Sequence, residues 1–169
     1  MTVTVVPSVA WPEKEYGATG KSSRSQMRTR YGIIQAMKNN CIFCAIAEGE
    51  IPSFKIYEDD LVLAYLDINP FSEGHTLVIP KVHSEGLLDT SDEMLAAVVA
   101  RVKKVAAHIK ATLPCDGFNI LQNNGEAAGQ TVRHVHFHII PRRNGDALAF
   151  ENRKGDMDAL KALSDRLRM

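Results

Sequence analysis

The chain has 169 residues, 45% of them apolar, which is enough for one compact domain with a core and excludes a wholly disordered protein. Twenty Lys and Arg balance twenty Asp and Glu, so the formal net charge is zero and nothing in the composition suits a nucleic-acid-coating surface. No run approaches the roughly 20 apolar residues of a bilayer-spanning helix, so neither nucleic acid nor a membrane is expected as a partner. Three cysteines cannot build a disulfide framework, and two of them form Cys41-Ile42-Phe43-Cys44. That spacing reads as a metal or redox pair in a reducing, cytoplasmic setting.

Residues 1–38 differ in texture from the rest. Between Ala18 and Lys38 there are cations (Lys21, Arg24, Arg28, Arg30 and Lys38), several serines and no carboxylate. A targeting peptide and a plain disordered tail both fit this composition. A domain is expected over 39–145, followed by a C-terminal tail with a helix over 146–169. Cys41 to Glu48, stopped by Gly49, predicts a short helix. Ser53–Tyr57 and Leu61–Leu66 predict a hairpin turning at Glu58-Asp59-Asp60, and His75–Ile79 a third strand closed by Pro80. Thr90 to Glu93 reads as a capping box with Thr90 as the cap. Behind it, Leu95, Val98, Val99, Val102, Val105, Ala106 and Ile109 trace one face of a long helix that closes at Leu113-Pro114. Two further strands are expected at Phe118–Leu121 and Val132–Ile140, then a terminal helix over Asp156–Leu167. Links between strands are mostly too short for parallel crossovers, so the class is α+β with an antiparallel sheet.

Chemistry concentrates in Gly129-Gln130-Thr131-Val132-Arg133-His134-Val135-His136-Phe137-His138. On a strand, His134, His136 and His138 project to one side while Val135, Phe137 and Ile139 project into a core. Two chemistries use such a row: a catalytic metal held by imidazoles, or nucleophilic attack by one imidazole oriented by its neighbours. The preceding Asn123–Thr131 stretch favours the second. Its glycines let backbone N–H groups approach a phosphate, and Gln130 and Thr131 can hydrogen-bond the oxygens. Cys115 is expected to be a buried small apolar residue, and His108 a surface or packing residue on the long helix.

Gln130 to His138 closely resembles the signature of the histidine triad superfamily of nucleotide hydrolases and transferases. Cys41-x-x-Cys44, Gly49-Glu50-Ile51-Pro52, Asp67-Ile68-Asn69-Pro70 and His75 to His83 fall where that family's other motifs lie. The resemblance covers about Cys41 to Pro141 and is strongest to the Hint branch of purine nucleoside phosphoramidases, with some features of the dinucleoside polyphosphate hydrolases. It implies a five-stranded antiparallel sheet with the long helix packed on it, and a homodimer paired through helix and strand. His136 would be the nucleophile, forming a nucleotidyl-imidazole intermediate that water resolves to a nucleoside monophosphate. His134 and His138 would flank the phosphate, His75 would tune the row, and Gln130 and Thr131 would position phosphate and leaving group.

The same resemblance implies that Asp67 accepts both ribose hydroxyls. Ile42, Phe43, Ile46, Ile51, Tyr65 and Ile68 would form an apolar slot for a purine, with Asn123 and Gly129 near the α-phosphate. Cys41, Cys44, His83 and His134 would hold a structural zinc, and catalysis itself would require no cofactor. Thr131 stands where the Hint branch usually has Ser, and the chain diverges from that branch after Pro141.

Overall fold

The computed structural model describes residues 41–147 and 155–168; the expectations for residues 1–38 lie outside the described residues. The element order is α1 (Ile42–Ala47), β1 (Lys55–Glu58), β2 (Val62–Leu66), β3 (Thr76–Pro80), α2 (Asp92–Thr112), β4 (Gly117–Leu121), β5 (Phe137–Arg142) and α3 (Met157–Leu167), with single 3₁₀ turns at Leu87–Asp89 and Glu126–Ala128. The strands form one sheet in the order β1-β2-β3-β5-β4, every pair antiparallel. This is the expected α+β architecture.

Alternation along the central strands builds two cores. Val62, Ala64, Val78, Val135, Phe137 and Ile139 meet Val98, Val102, Val105, Ala106 and Ile109 of α2 on one face. Leu63, Tyr65, Leu77 and Ile79 meet Cys41, Phe43, Cys44 and Ile46 of the α1 region on the other. Because both faces are covered, β2 and β3 read as nearly continuous apolar runs. On α2 the expected stripe is buried at Val98, Val102, Val105, Ala106 and Ile109, whereas Val99 is exposed.

Three local expectations are corrected. The helix cap falls one residue later than expected: Ser91 Oγ accepts from Met94 N, while Thr90 Oγ1 donates to the Gly86 carbonyl and contacts Ser84 Oγ. Cys115 is half-buried, not buried. The last strand begins at Phe137, not Val132. Its pairing with β3 stops at Phe137 opposite Val78, because β3 ends at Pro80, which has no N–H to donate. The chain at 132–135 instead folds on itself, with His134 N–H donating to the Val132 carbonyl and Val135 N–H to the Ser84 carbonyl, each at 2.8 Å. The terminal helix α3 is present with Asp156 as its cap, and Leu160, Leu163 and Leu167 on it are exposed.

Candidate active site

The break before β5 decides where the three histidines go. His138 lies on β5 opposite Leu77, and His75 immediately precedes β3. Their rings meet: His75 Nε2 lies 2.9 Å from His138 Nδ1. Phe71 N–H donates to His75 Nδ1 at 3.2 Å, so the His75 proton sits on Nε2 and is donated to His138 Nδ1. His138 then carries its own proton on Nε2, facing away from His75. The carboxylate of Asp67 lies 3.7 Å from His75 Nδ1, and the Phe71 ring stacks on His75.

His136 is fixed by a different device. Its Nδ1–H donates to the backbone carbonyl of His134 at 2.6 Å, which leaves Nε2 as an unprotonated lone pair. Its ring stands edge-on to His138 at 5.0 Å and to Phe43 at 5.2 Å. Burial sets the charge of the row. It lowers the pKa of His136, partly offset by the bond to the His134 carbonyl and by Asp67. It also lowers His75, again against Asp67. His138 is pushed down to about 4 by burial, then by neighbouring His136 and His75. The row is therefore neutral at neutral pH, as an imidazole nucleophile requires.

The expected alignment of all three histidines is corrected here. His134 lies in the bend outside β5, and its ring turns away from the other two. Its Nε2–H donates to the Pro80 carbonyl at 2.9 Å, and its Nδ1 lies 3.4 Å from Cys41 Sγ and 3.6 Å from Cys44 Sγ. His83 Nδ1 lies 3.3 Å from Cys44 Sγ. Cys41, Cys44, His83 and His134 thus gather their donor atoms within 4.8 Å of one another, a group that can hold a metal ion. Burial pushes His134 down to about 4, against the pull of the Pro80 carbonyl, so its Nδ1 is available as a ligand. What His134 gives His136 is its carbonyl, not its ring. The three imidazoles do not converge on one point, so the geometry does not make a three-His metal centre.

The loop before the row is shaped by two glycines with positive φ, Gly125 (79°) and Gly129 (81°). Asn123 Nδ2 stands beside Gly129, where a Cβ would come within 3.7 Å of it. Gln130 is buried, and its amide is committed to the loop: Nε2 donates to the Glu85 and Val132 carbonyls, and Oε1 accepts from Gly125 N–H. It shapes the cradle instead of presenting its amide to a ligand, whereas Thr131 is exposed. Asp67 Oδ1 accepts from Asn69 N–H as a turn former, and its second oxygen faces His75. Phe43, Ile46 and Tyr65 are buried beside the row, with Ile51 partly buried against them. Ile42 and Ile68 are 50% and 80% exposed. Three groups escaped sequence reasoning, the Phe71 N–H and the His134 and Pro80 carbonyls. They are backbone atoms, and no residue type marks them.

Comparison with known proteins places the chain in a family. The family model described as the HIT domain matches residues 48–145, more than half of the chain. The chain belongs to the HIT family. An uncharacterized HIT-like protein of Methanocaldococcus jannaschii is 55% identical over 106 residues, covering 63% of this chain and 81% of that protein. The adenosine 5'-monophosphoramidase of Saccharomyces cerevisiae is 44% identical over 130 residues, covering 75% of this chain and 80% of the yeast protein. Among solved structures, a zinc-bound histidine triad family protein from Mycobacterium smegmatis matches with a TM-score of 0.63 at 44% identity, covering 76% of this chain and 99% of that one. HIT-type hydrolases are thus among the chain's relatives, and the fold expected from the sequence is the fold of the family.

Proposed function

We propose that this HIT-family chain hydrolyses a purine nucleoside 5'-phosphoramidate, or a related bond at an α-phosphate, through a nucleotidyl intermediate on His136. The observation that carries this reading is the tautomer of His136: Nδ1–H is tied to the His134 carbonyl at 2.6 Å, which leaves Nε2 free to attack. In the first step Nε2 bonds to the α-phosphorus as the bond to the leaving nitrogen breaks. That nitrogen keeps the bonding pair, takes a proton from solvent and departs as the amine. The imidazolium so formed is stabilised by the carbonyl on Nδ1. Water then adds to phosphorus, the His136–phosphorus bond breaks, a proton returns to solvent, and nucleoside monophosphate leaves. His138 Nε2–H and the Thr131 hydroxyl donate to phosphate oxygens on which charge accumulates. Asp67 receives the ribose hydroxyls, and the slot around Phe43, Ile46, Ile51 and Tyr65 takes the base.

Cys41, Cys44, His83 and His134 fit a structural zinc. Zinc bonds of about 2.3 Å to sulfur and 2.0–2.1 Å to nitrogen, at a tetrahedral angle, separate the two donors by about 3.6 Å. The sulfur–nitrogen separations here are 3.3, 3.4 and 3.6 Å. The Pro80 carbonyl on His134 Nε2 is the outer partner that orients a metal-ligating imidazole. Zinc bound there would tie α1 to the segments that follow β3 and precede β5.

Rapid-quench intact-mass measurement with adenosine 5'-phosphoramidate tests the chemistry. A nucleotidyl adduct on the wild type, absent from His136→Ala, is expected. The variant should lose several orders of magnitude in turnover with AMP binding nearly intact, because the attacking group acts in the transition state. A residual rate within about tenfold of wild type overturns the assignment.

A further inference from the structure

The base slot is not purely apolar. Tyr65 is only 4% exposed, and its hydroxyl is buried without a hydrogen-bond partner among the described residues. Its neighbours in that core include the apolar side chains of Phe43, Ile46, Leu63, Leu77 and Ile79 and the thiols of Cys41 and Cys44. Asp67 and Cys41 are near enough to act on the phenol electrostatically, yet none of them makes a hydrogen bond to it. A buried phenol normally finds a partner, and leaving one unmet is a cost to the fold. Phenylalanine would fill the same space without that cost. The other buried unmet side-chain group among the described residues is Ser53 Oγ. Ser53 precedes Phe54, whose carbonyl accepts Leu66 N–H at 3.0 Å, so both hydroxyls fall near the end of β2 that leads into Asp67.

Position says what the Tyr65 hydroxyl meets. The Tyr65 ring is edge-on to Phe43 at 6.1 Å, and Phe43 is edge-on to His136 at 5.2 Å. With phosphorus at His136 and ribose at Asp67, Tyr65 stands at the base end. We infer that the Tyr65 hydroxyl hydrogen-bonds the polar edge of the bound nucleobase and makes Tyr65 a specificity-determining residue; this rests on the nucleotide reading above. Apolar walls accept any flat base and discriminate weakly. A site built to hydrogen-bond its ligand rejects one with the wrong edge far more strongly. A base entering past the exposed Ile42 and Ile68 uncovers the hydroxyl and satisfies it, so the unmet group is a stability cost recovered on binding.

The test compares full-length wild type with Tyr65→Phe by thermal melting and by calorimetric titration with AMP and GMP, whose stacking faces are alike and whose edges differ. Ligand-free Tyr65→Phe is expected to melt higher than wild type. It should bind the preferred nucleotide about three- to tenfold more weakly, the loss expected for one hydrogen bond. The preference between AMP and GMP shown by wild type should shrink to within about twofold in the variant. A lower melting temperature would show that the hydroxyl is already satisfied in the free protein and overturns the inference. Unchanged affinity, or an unchanged preference, overturns it while leaving the nucleotide reading intact. Wild type that binds neither nucleotide overturns both.

Discussion

At the scale of single residues, the site works by fixing protons. One carbonyl fixes the tautomer of His136, and one amide fixes that of His75 and, through it, that of His138. Protonating His138 on Nδ1 sets two donors face to face across 2.9 Å, and protonating His75 on Nδ1 does the same against the Phe71 N–H at 3.2 Å. Because burial holds His138 down to about 4, the pair survives well below the ordinary imidazole pKa near 6.5. The acid limb of the kcat/KM profile is therefore expected below pH 6.5; a limb at or above that value contradicts the arrangement. The same shift has a sign for stability. A histidine with a folded pKa near 4 and an unfolded pKa near 6.5 binds more protons when unfolded between those values. It contributes fully to stability above pH 6.5, and that contribution declines as pH falls towards 4.

At the scale of elements, two side-chain devices hold the framework around the site. Asp59 closes the first hairpin: its Oδ1 accepts from the N–H groups of Leu61 and Val62, and its Oδ2 from Tyr57 Oη and Arg101 Nε of α2. Burial alone would raise its pKa, but those donors outweigh burial and hold the carboxyl well below the usual range. Asp59→Ala removes charge-assisted bonds and leaves the turn amides unmet, so urea unfolding should show a loss of about 2–3 kcal/mol. A loss under about 0.5 kcal/mol would show that solvent replaces the carboxylate without penalty. The second device is the Cys/His group. Six residues of α1 are too few to stay helical alone, so chelation of a bound zinc is expected to lower the melting temperature and detach α1. An unchanged melting curve after metal analysis shows the zinc gone would overturn that role.

How much of this was legible follows from which interactions are local. Strand alternation from Val62 to Ile79 and the three-four spacing on α2 announce the two cores, because periodicity is written residue by residue. The early end of β5 pairing is not local. It arises because Pro80, more than fifty residues earlier in the chain, faces the segment and cannot donate. The resemblance already gave His134 to the Cys/His group as well as to the row; the non-local break is what turns its ring to the first and leaves only its carbonyl to the second. The cap shift from Thr90 to Ser91 has the same character: Thr90 is diverted to the Gly86 carbonyl, a tertiary competitor that the capping pattern does not encode.

At the scale of the whole molecule, the sheet ends on a strand that is poorly protected. Among the described residues β4 pairs only with β5 and forms one edge. Ile120 lies opposite Ile139, and Phe118 opposite Pro141, so Phe118 and Ile120 point to the same face as Ile139, the face that α2 covers. They are nevertheless 42% and 41% exposed, and Val99 of α2 is 51% exposed. An unpaired edge bearing two large apolar side chains invites a second strand. Pairing of β4 with its copy, α2 against α2, would extend the sheet across two chains and cover all three residues. We therefore expect size-exclusion light scattering to report twice the chain mass at micromolar concentration. Ile120→Lys, with unchanged far-UV circular dichroism, should shift the protein to single chains by placing two like charges at the seam. A wild type that runs as a single chain at that concentration would require the edge to be covered within one chain, and the paired assembly would fall.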